Sequence, residues 1–258
     1  MGKAAYIGRS SLAYKIGKLY IGIGGVARKI TKGYIGVGGL ARQFYSSEPV
    51  LIFEQTAAGT YSQALTAGTY EITLIGAGGG ASGRRCTTDG KFHYAQGGVG
   101  GTLQVIAKLT SAATISIVVG SGGTTNTGTF SSASGGTVTG GTGVASKVTG
   151  FTDLTIQANG GTGGSTRATS TTGCNRTPGT MGTVSVSGTA LQSTLISNPT
   201  TVTSSGTSSS ATARNAVGRV NDNWPDDTSR GKGGDVGWNG TAFRVLNGLS
   251  GYARIRKL

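Results

Sequence analysis

The residues that carry most metal, redox and acid–base chemistry are scarce in this chain. Only nine of its 258 residues are Asp or Glu, and it has one His, two Cys and four Pro. With a single His and no paired CxxC spacing, the sequence predicts no metal centre. Carboxylates come close together only at Asp222, Asp226 and Asp227, in a turn-rich stretch where Asp commonly caps the backbone. We therefore expect a protein that is not an enzyme.

Long apolar runs are absent as well. Gly and Lys interrupt every hydrophobic stretch near the N-terminus, so neither a secretory signal nor a membrane span is predicted. We expect synthesis in the cytoplasm and no membrane partner. Gly76, Gly78 and Ala81 follow a strand-like stretch and imitate a dinucleotide-binding fingerprint. Loop sequence rather than a helix comes next, so no cofactor is expected.

Glycine and positive charge are in excess. Glycine supplies 49 of 258 residues, about 19% against roughly 7% in average proteins. The net charge is +14, and residues 1–47 hold eight basic and no acidic residues. Such a segment either attracts a polyanion or is simply a solvated basic face. No helix is patterned to enter a nucleic-acid groove, so nucleic acid is not the expected partner.

The N-terminal segment contains a repeat with a period of 14 residues. Tyr6, Tyr20 and Tyr34 begin the units YIGRSSLAYKIGKL, YIGIGGVARKITKG and YIGVGGLARQFYSS. Two short apolar runs around a Gly-Gly or Ser-Ser pair are typical of a β-hairpin with a two-residue turn. If Ile23 faces Val26, then Ile21 faces Arg28 and Tyr20 faces Lys29, which gives one aliphatic face and one face with Tyr and Lys.

Isolated hairpins do not bury such faces by themselves. We therefore predict that residues 1–47 form an anchor or oligomerisation module, although three extra strands of a single domain would give the same pattern. The residues expected to dock on a partner or on another copy are Tyr6, Tyr20, Tyr34, Arg28, Lys29 and Arg42.

Residues 48–258 are predicted to form a second domain, an all-β, glycine-rich sandwich of jelly-roll-like type. Alternation of apolar and polar residues, together with β-branched side chains, predicts strands at 50–55, 69–78, 101–109, 113–120, 146–158 and 252–258. Long Gly, Ser and Thr tracts fill 121–145 and 159–222. We expect these tracts to be partly ordered, with some extended and packed side by side, because glycine allows close backbone approach.

Two cysteines, Cys86 and Cys174, lie in loop-like sequence. In an oxidising medium they would close a disulfide between two long loops. Two free thiols are the equal alternative.

The strands resemble a known domain. The stretch TYSQALTAGTYEITLIGAGGGASG, followed by GGTLQVIAKL, ATISIVVGSGG and GYARIRKL, is similar to the glycine-rich β-sandwich domain of bacteriophage tail fibres and adhesins. The likeness covers residues 50–258 and is best in the strands. The YIGVGGLAR units look like short repeats of phage virion proteins. The resemblance implies a virion protein, a trimer by analogy with fibres, other virion proteins as partners, and a host-surface glycan or protein as receptor.

Two loops combine aromatic side chains with hydrogen-bond donors, which suits recognition of glycans or proteins. The candidate host contacts are Arg84, Arg85, Phe92, His93, Tyr94, Trp224, Asp226, Arg230 and Trp238. Large aromatics in glycine-rich loops also serve as local core. Two other functions remain open: a capsid decoration or head-fibre protein, and a glycan depolymerase using Asp226 or Asp227.

Overall fold

The computed structural model describes most of the chain in two compact units, Met1–Ile52 with Arg256–Leu258, and Phe53–Ile255. The described residues are 6–9, 12–15, 19–23, 26–30, 32–37, 40–46, 49–86, 92–130, 136–151, 154–169, 173–188, 192–194, 205–208, 231–234, 236–238 and 243–258. They contain 25 strands and no helix, so the chain is all-β as predicted. Accordingly, this part of the chain has no helix that is long and apolar enough to cross a bilayer.

The N-terminal repeats form three antiparallel hairpins. Their strands are β1 (Tyr6–Arg9), β2 (Leu12–Lys15), β3 (Leu19–Ile23), β4 (Val26–Ile30), β5 (Lys32–Val37) and β6 (Leu40–Ser46). The predicted register is confirmed, because Tyr20 lies opposite Lys29 and Ile21 opposite Arg28. Each hairpin is a two-stranded sheet of its own.

Residues 50–257 contain two five-stranded sheets. In spatial order the first sheet contains β21 (Gln192–Thr194), β12 (Thr102–Leu109), β9 (Gly68–Ile75), β25 (Tyr252–Lys257) and β7 (Val50–Gln55). The second contains β20 (Val184–Ser187), β17 (Leu154–Ala158), β16 (Ser146–Phe151), β13 (Ala113–Val119) and β8 (Gly59–Leu65).

The two sheets face each other across an apolar core. The ring of Tyr70 on β9 meets the ring of Phe151 on β16 edge to face, with centroids 6.1 Å apart. Alternate residues on both sheets are fully or almost fully buried, as the period of two requires. Those at 0% exposure include Ile72, Leu74, Val105, Ile115, Ile117, Val148 and Ile156.

Two strand predictions need correction, and several strands were not predicted, β8 among them. β9 ends at Ile75 rather than at residue 78, because the glycines that follow leave the sheet. The stretch 146–158 is two strands, β16 and β17, paired antiparallel with a register shift between Val148 and Phe151. β8 was not predicted, because polar Gln63 lies between Tyr61 and Leu65 on its more buried face and weakens the apolar alternation.

Beyond the sheets, glycine-rich segments lie side by side, which confirms the expected close packing for the described parts of tracts 121–145 and 159–222. We call the eight segments together the glycine bundle: 76–81, 97–101, 120–125, 140–145, 159–164, 178–183, 231–234 and 246–251. Their backbones bond to one another outside any strand pairing. Partners recur every third residue, which is the period of a polyproline II helix.

The central segment is 76–81. Its N–H groups donate in turn to three neighbours: Gly76 and Gly79 to 97–101, Ala77 and Gly80 to 140–145, and Gly78 and Ala81 to 246–251. Its carbonyls accept from three more segments, 120–125 with Asn126, 159–164 and 231–234. These six neighbours also bond to one another in a closed ring, and 178–183 packs outside that ring.

Successive segments of the bundle alternate in direction. Ala77 and Gly80 bond to Val144 and Gly141 in reverse order, whereas Gly161 and Gly164 bond to Ala77 and Gly80 in the same order. As a result, the five-stranded sheets meet one end of the bundle. The described parts of the connections 82–96, 126–139, 165–177 and 235–245 lie at the other end, which we call the loop end.

The described part of the loop end contains small sheets. One has the order β14 (Asn126–Phe130), β10 (Ser82–Cys86), β11 (Phe92–Ala95) and β22 (Ser205–Ser208), with β14 parallel to β10. A second is β15 (Thr137–Thr139), β18 (Ser165–Thr169) and β19 (Gly173–Thr177), and β23 (Val236–Trp238) pairs with β24 (Phe243–Val245).

Glycine is required in the bundle by the distance between backbones. A Cβ on Gly79 would lie 2.0 Å from the carbonyl oxygen of Thr162, and one on Gly80 would lie 1.9 Å from that of Thr124. Real contacts of that kind do not occur, so an added methyl group must push two backbones apart and break the bonds between them. The glycine excess is therefore a packing requirement.

Replacing Gly79 by Ala is expected to lower the free energy of unfolding by about 3 kcal/mol, because the methyl group overpacks a rigid backbone. Chemical denaturation of Gly79→Ala measures the change. Thr142→Ala is the matched control, since Thr142 is exposed on a neighbouring bundle segment. Equal stability of the two variants would contradict the packing requirement.

Candidate functional site

The loop end contains the first group of predicted contacts, and three of them are buried. Arg84 is 0% exposed, His93 3% and Tyr94 8%. Arg84 on β10 lies directly opposite His93 on β11, so both side chains share one face of their sheet. Tyr94 packs with Ala81 and Val245. In the single chain these three residues are buried rather than at the surface. For Tyr94 this is the local-core alternative that the sequence left open, whereas burial of Arg84 and His93 was not expected.

Arg84 links two connections of the loop end. Its guanidinium donates from Nη1 to the backbone carbonyl of Gly136, at the start of the stretch that leads into β15. Burial lowers the pKa of Arg84 below its ordinary value, because the charged form loses solvation. An arginine is nonetheless protonated at neutral pH, so the site holds a buried positive charge.

The structure describes only some of the remaining predicted host contacts. Arg85, Phe92 and Trp238 lie on β10, β11 and β23, while their side chains are outside the description. Trp224, Asp226 and Arg230 lie outside the described residues, as do Asp222 and Asp227. The hypothesis that they contact a host surface or cleave a glycan therefore stays a prediction.

A polar ladder on the bundle surface was missed by sequence reasoning. Thr162 and Thr180 lie side by side with their hydroxyl oxygens 3.0 Å apart, and the Thr162 hydroxyl also accepts from the N–H of Thr180. Asn159 donates to the hydroxyl of Thr183 over 2.7 Å and accepts from Gln157 over 2.6 Å. The signal was the spacing of three residues between Asn159 and Thr162, and between Thr180 and Thr183.

The N-terminal hairpins place the predicted docking residues at equivalent positions. Tyr20 and Tyr34 are 53% and 56% exposed. The backbones of Tyr6, Arg28, Lys29 and Arg42 lie on β1, β4 and β6, with side chains outside the description. Ile21, on the opposite face of β3 from Tyr20, is 49% exposed.

Two further sequence predictions concern metal and disulfide chemistry. Within the described ranges, no group of three His, Cys, Asp or Glu side chains is placed to hold a metal ion. The prediction that both cysteines lie in loops was wrong, because Cys86 lies on β10 and Cys174 on β19. Their side chains are outside the description, so the choice between a disulfide and free thiols stays a prediction.

Comparison with known proteins adds no relative. No protein-family model matches the chain, and no curated protein is similar to it.

Replacing Arg84 by Ala is expected to cost about 2–3 kcal/mol of stability, because a charged hydrogen bond and a buried alkyl chain are both lost. The loss should be accompanied by faster amide hydrogen exchange in β10 and β15. Arg167→Ala on β18 is the control, since Arg167 is exposed and belongs to the same end. Unchanged melting and exchange in Arg84→Ala would show that the buried arginine does not hold the loop end together.

Proposed function

We propose that this chain is a non-enzymatic bacteriophage virion appendage, of tail-fibre or adhesin type. Its N-terminal hairpins dock on the particle, and its glycine-rich domain contacts the host surface. The resemblance of residues 50–258 to glycine-rich adhesin domains motivates the phage assignment. A trimeric state and a virion location belong to the same proposal.

The observation that carries the proposal is the glycine bundle with its loops at one end. Backbone bonds every third residue join the segments into a stem, and four connections lie at the loop end. Recognition residues commonly lie on loops that a rigid scaffold holds in place. A scaffold whose hydrogen bonds are backbone to backbone leaves the loop sequences free to differ, which suits a surface that must match a receptor.

The polar ladder adds a surface suited to hydrogen bonding. Its hydroxyl and amide groups are fixed in place by hydrogen bonds to one another. Little ordering entropy is then lost when a polar ligand binds. Glycans present rows of hydroxyl groups, so a host glycan suits this side of the bundle.

Deleting residues 1–47 is expected to abolish incorporation into virions while the purified glycine-rich domain still binds host cells. Immunoblotting of purified particles and adsorption of labelled protein to cells measure the two properties. Full incorporation of the shortened chain would contradict docking through the hairpins. Labelling of the head rather than the tail by immunogold microscopy would favour the capsid decoration alternative.

Replacing Trp224 and Trp238 together by Ala is expected to reduce adsorption of the protein to host cells by about tenfold or more, because buried aromatic anchors dominate recognition surfaces. Thr142→Ala serves as the control for an exposed bundle residue. Circular dichroism and incorporation into particles should stay unchanged. Normal adsorption of the double variant would remove these two residues from the contact surface.

A further inference from the structure

We propose that the N-terminal hairpins dock on an acidic protein surface, which they contact through repeated pairs of an aromatic or aliphatic residue with a basic one. This inference rests on the proposed docking function and names the chemistry of the docking partner.

The repeat in the sequence is also a repeat in space. Tyr6 lies opposite Lys15, Tyr20 opposite Lys29 and Tyr34 opposite Gln43. In the same hairpins, Ile7, Ile21 and Ile35 lie opposite Tyr14, Arg28 and Arg42. Residues opposite each other in an antiparallel pair share a face. Each hairpin therefore offers a tyrosine position on one face and an isoleucine position on the other, in the same register.

The second hairpin is exposed on both faces. Tyr20 and Ile21 are neighbours on one strand, so they point to opposite faces, and they are 53% and 49% exposed. A two-stranded sheet exposed on both faces is marginal in water. A partner that covers the faces is therefore needed to give the hairpin a stable place in an assembly.

The positive charge of residues 1–47 favours an acidic partner over a second copy of the same segment as the surface that covers the hairpins. Residues 1–47 have eight basic residues and no acidic one. Packing two such segments face to face would bring like charges together, which costs free energy, whereas an acidic surface would steer the encounter and fix its register.

The exposed isoleucine and the sheet edges favour a protein over a nucleic acid. Ile21 offers aliphatic surface that a sugar–phosphate backbone does not bury well. Each hairpin, being a sheet of two strands, also has outer edges that another strand can extend by backbone hydrogen bonds. An acidic protein supplies charge, apolar contact and a strand edge together.

Binding of the full-length protein to fluorescently labelled poly-L-glutamate tests the charge complementarity. We expect saturable binding that weakens as salt is raised. The variant Arg28→Ala, Lys29→Ala, Arg42→Ala should bind about tenfold more weakly. The matched control is Lys108→Ala, Arg167→Ala, Arg176→Ala, which removes the same charge from the glycine-rich unit and should bind as the parent does.

The tyrosines give a second readout. Tyr20→Ala with Tyr34→Ala should weaken binding at unchanged net charge, and Tyr20→Phe with Tyr34→Phe should restore it. Equal loss in the hairpin and control charge variants would overturn the inference, because it would show attraction by net charge alone. Tighter binding of an oligothymidylate of matched length than of polyglutamate would also overturn it, in favour of nucleic acid.

The two proposals fail separately. If deletion of residues 1–47 prevents incorporation into virions but the chain does not bind polyglutamate, docking stands and the acidic partner is wrong. If the chain binds polyglutamate but the deletion variant is incorporated normally, the hairpins bind acidic polymers without being needed for incorporation. The docking function is then wrong.

Discussion

Direct hydrogen bonding between backbones of distant segments is the constraint on which the second unit depends. A polyproline II segment makes no hydrogen bonds within itself, so every buried N–H must find a partner on another segment. In the central segment 76–81 all six N–H groups do so. Glycine at four of its six positions allows six neighbours to come close enough, and the conformational entropy that glycine loses on folding is the cost of that approach.

The glycine bundle differs from an ordinary apolar core in which residues can be replaced without loss of packing. The two five-stranded sheets are held by side chains such as Ile72 and Ile117, whose shape must fit. The bundle is held by hydrogen bonds between backbone N–H and C=O groups. Its outward positions, such as Thr142 and Thr162, are exposed. One unit thus combines a core that depends on side-chain shape with a stem that depends on the absence of side chains.

The features that could be predicted from the sequence are those that follow from a regular spacing of residues. The 14-residue repeat gave the hairpins with Tyr20 opposite Lys29, and alternation gave β7 with its bounds. The close packing of glycine tracts was also expected, but its threefold order was not, because partners are chosen between segments far apart in the chain. Burial of Arg84 was missed for a similar reason. Its charge suggests surface, and only the pairing of β10 and β11 under a second small sheet places it inside.

The order of the bundle segments along the chain has a consequence for synthesis. The central segment ends at residue 81, yet Gly78 and Ala81 donate to Leu249 and Leu246, which are made only after more than 160 further residues. Contacts between residues so far apart in sequence form slowly, because a long loop must close before they are made. A growing chain therefore carries its central glycines with unsatisfied donors until residues 246–251 have been made. Because segment 246–251 completes the ring, a chain truncated before residue 246 leaves one side of the bundle exposed to water.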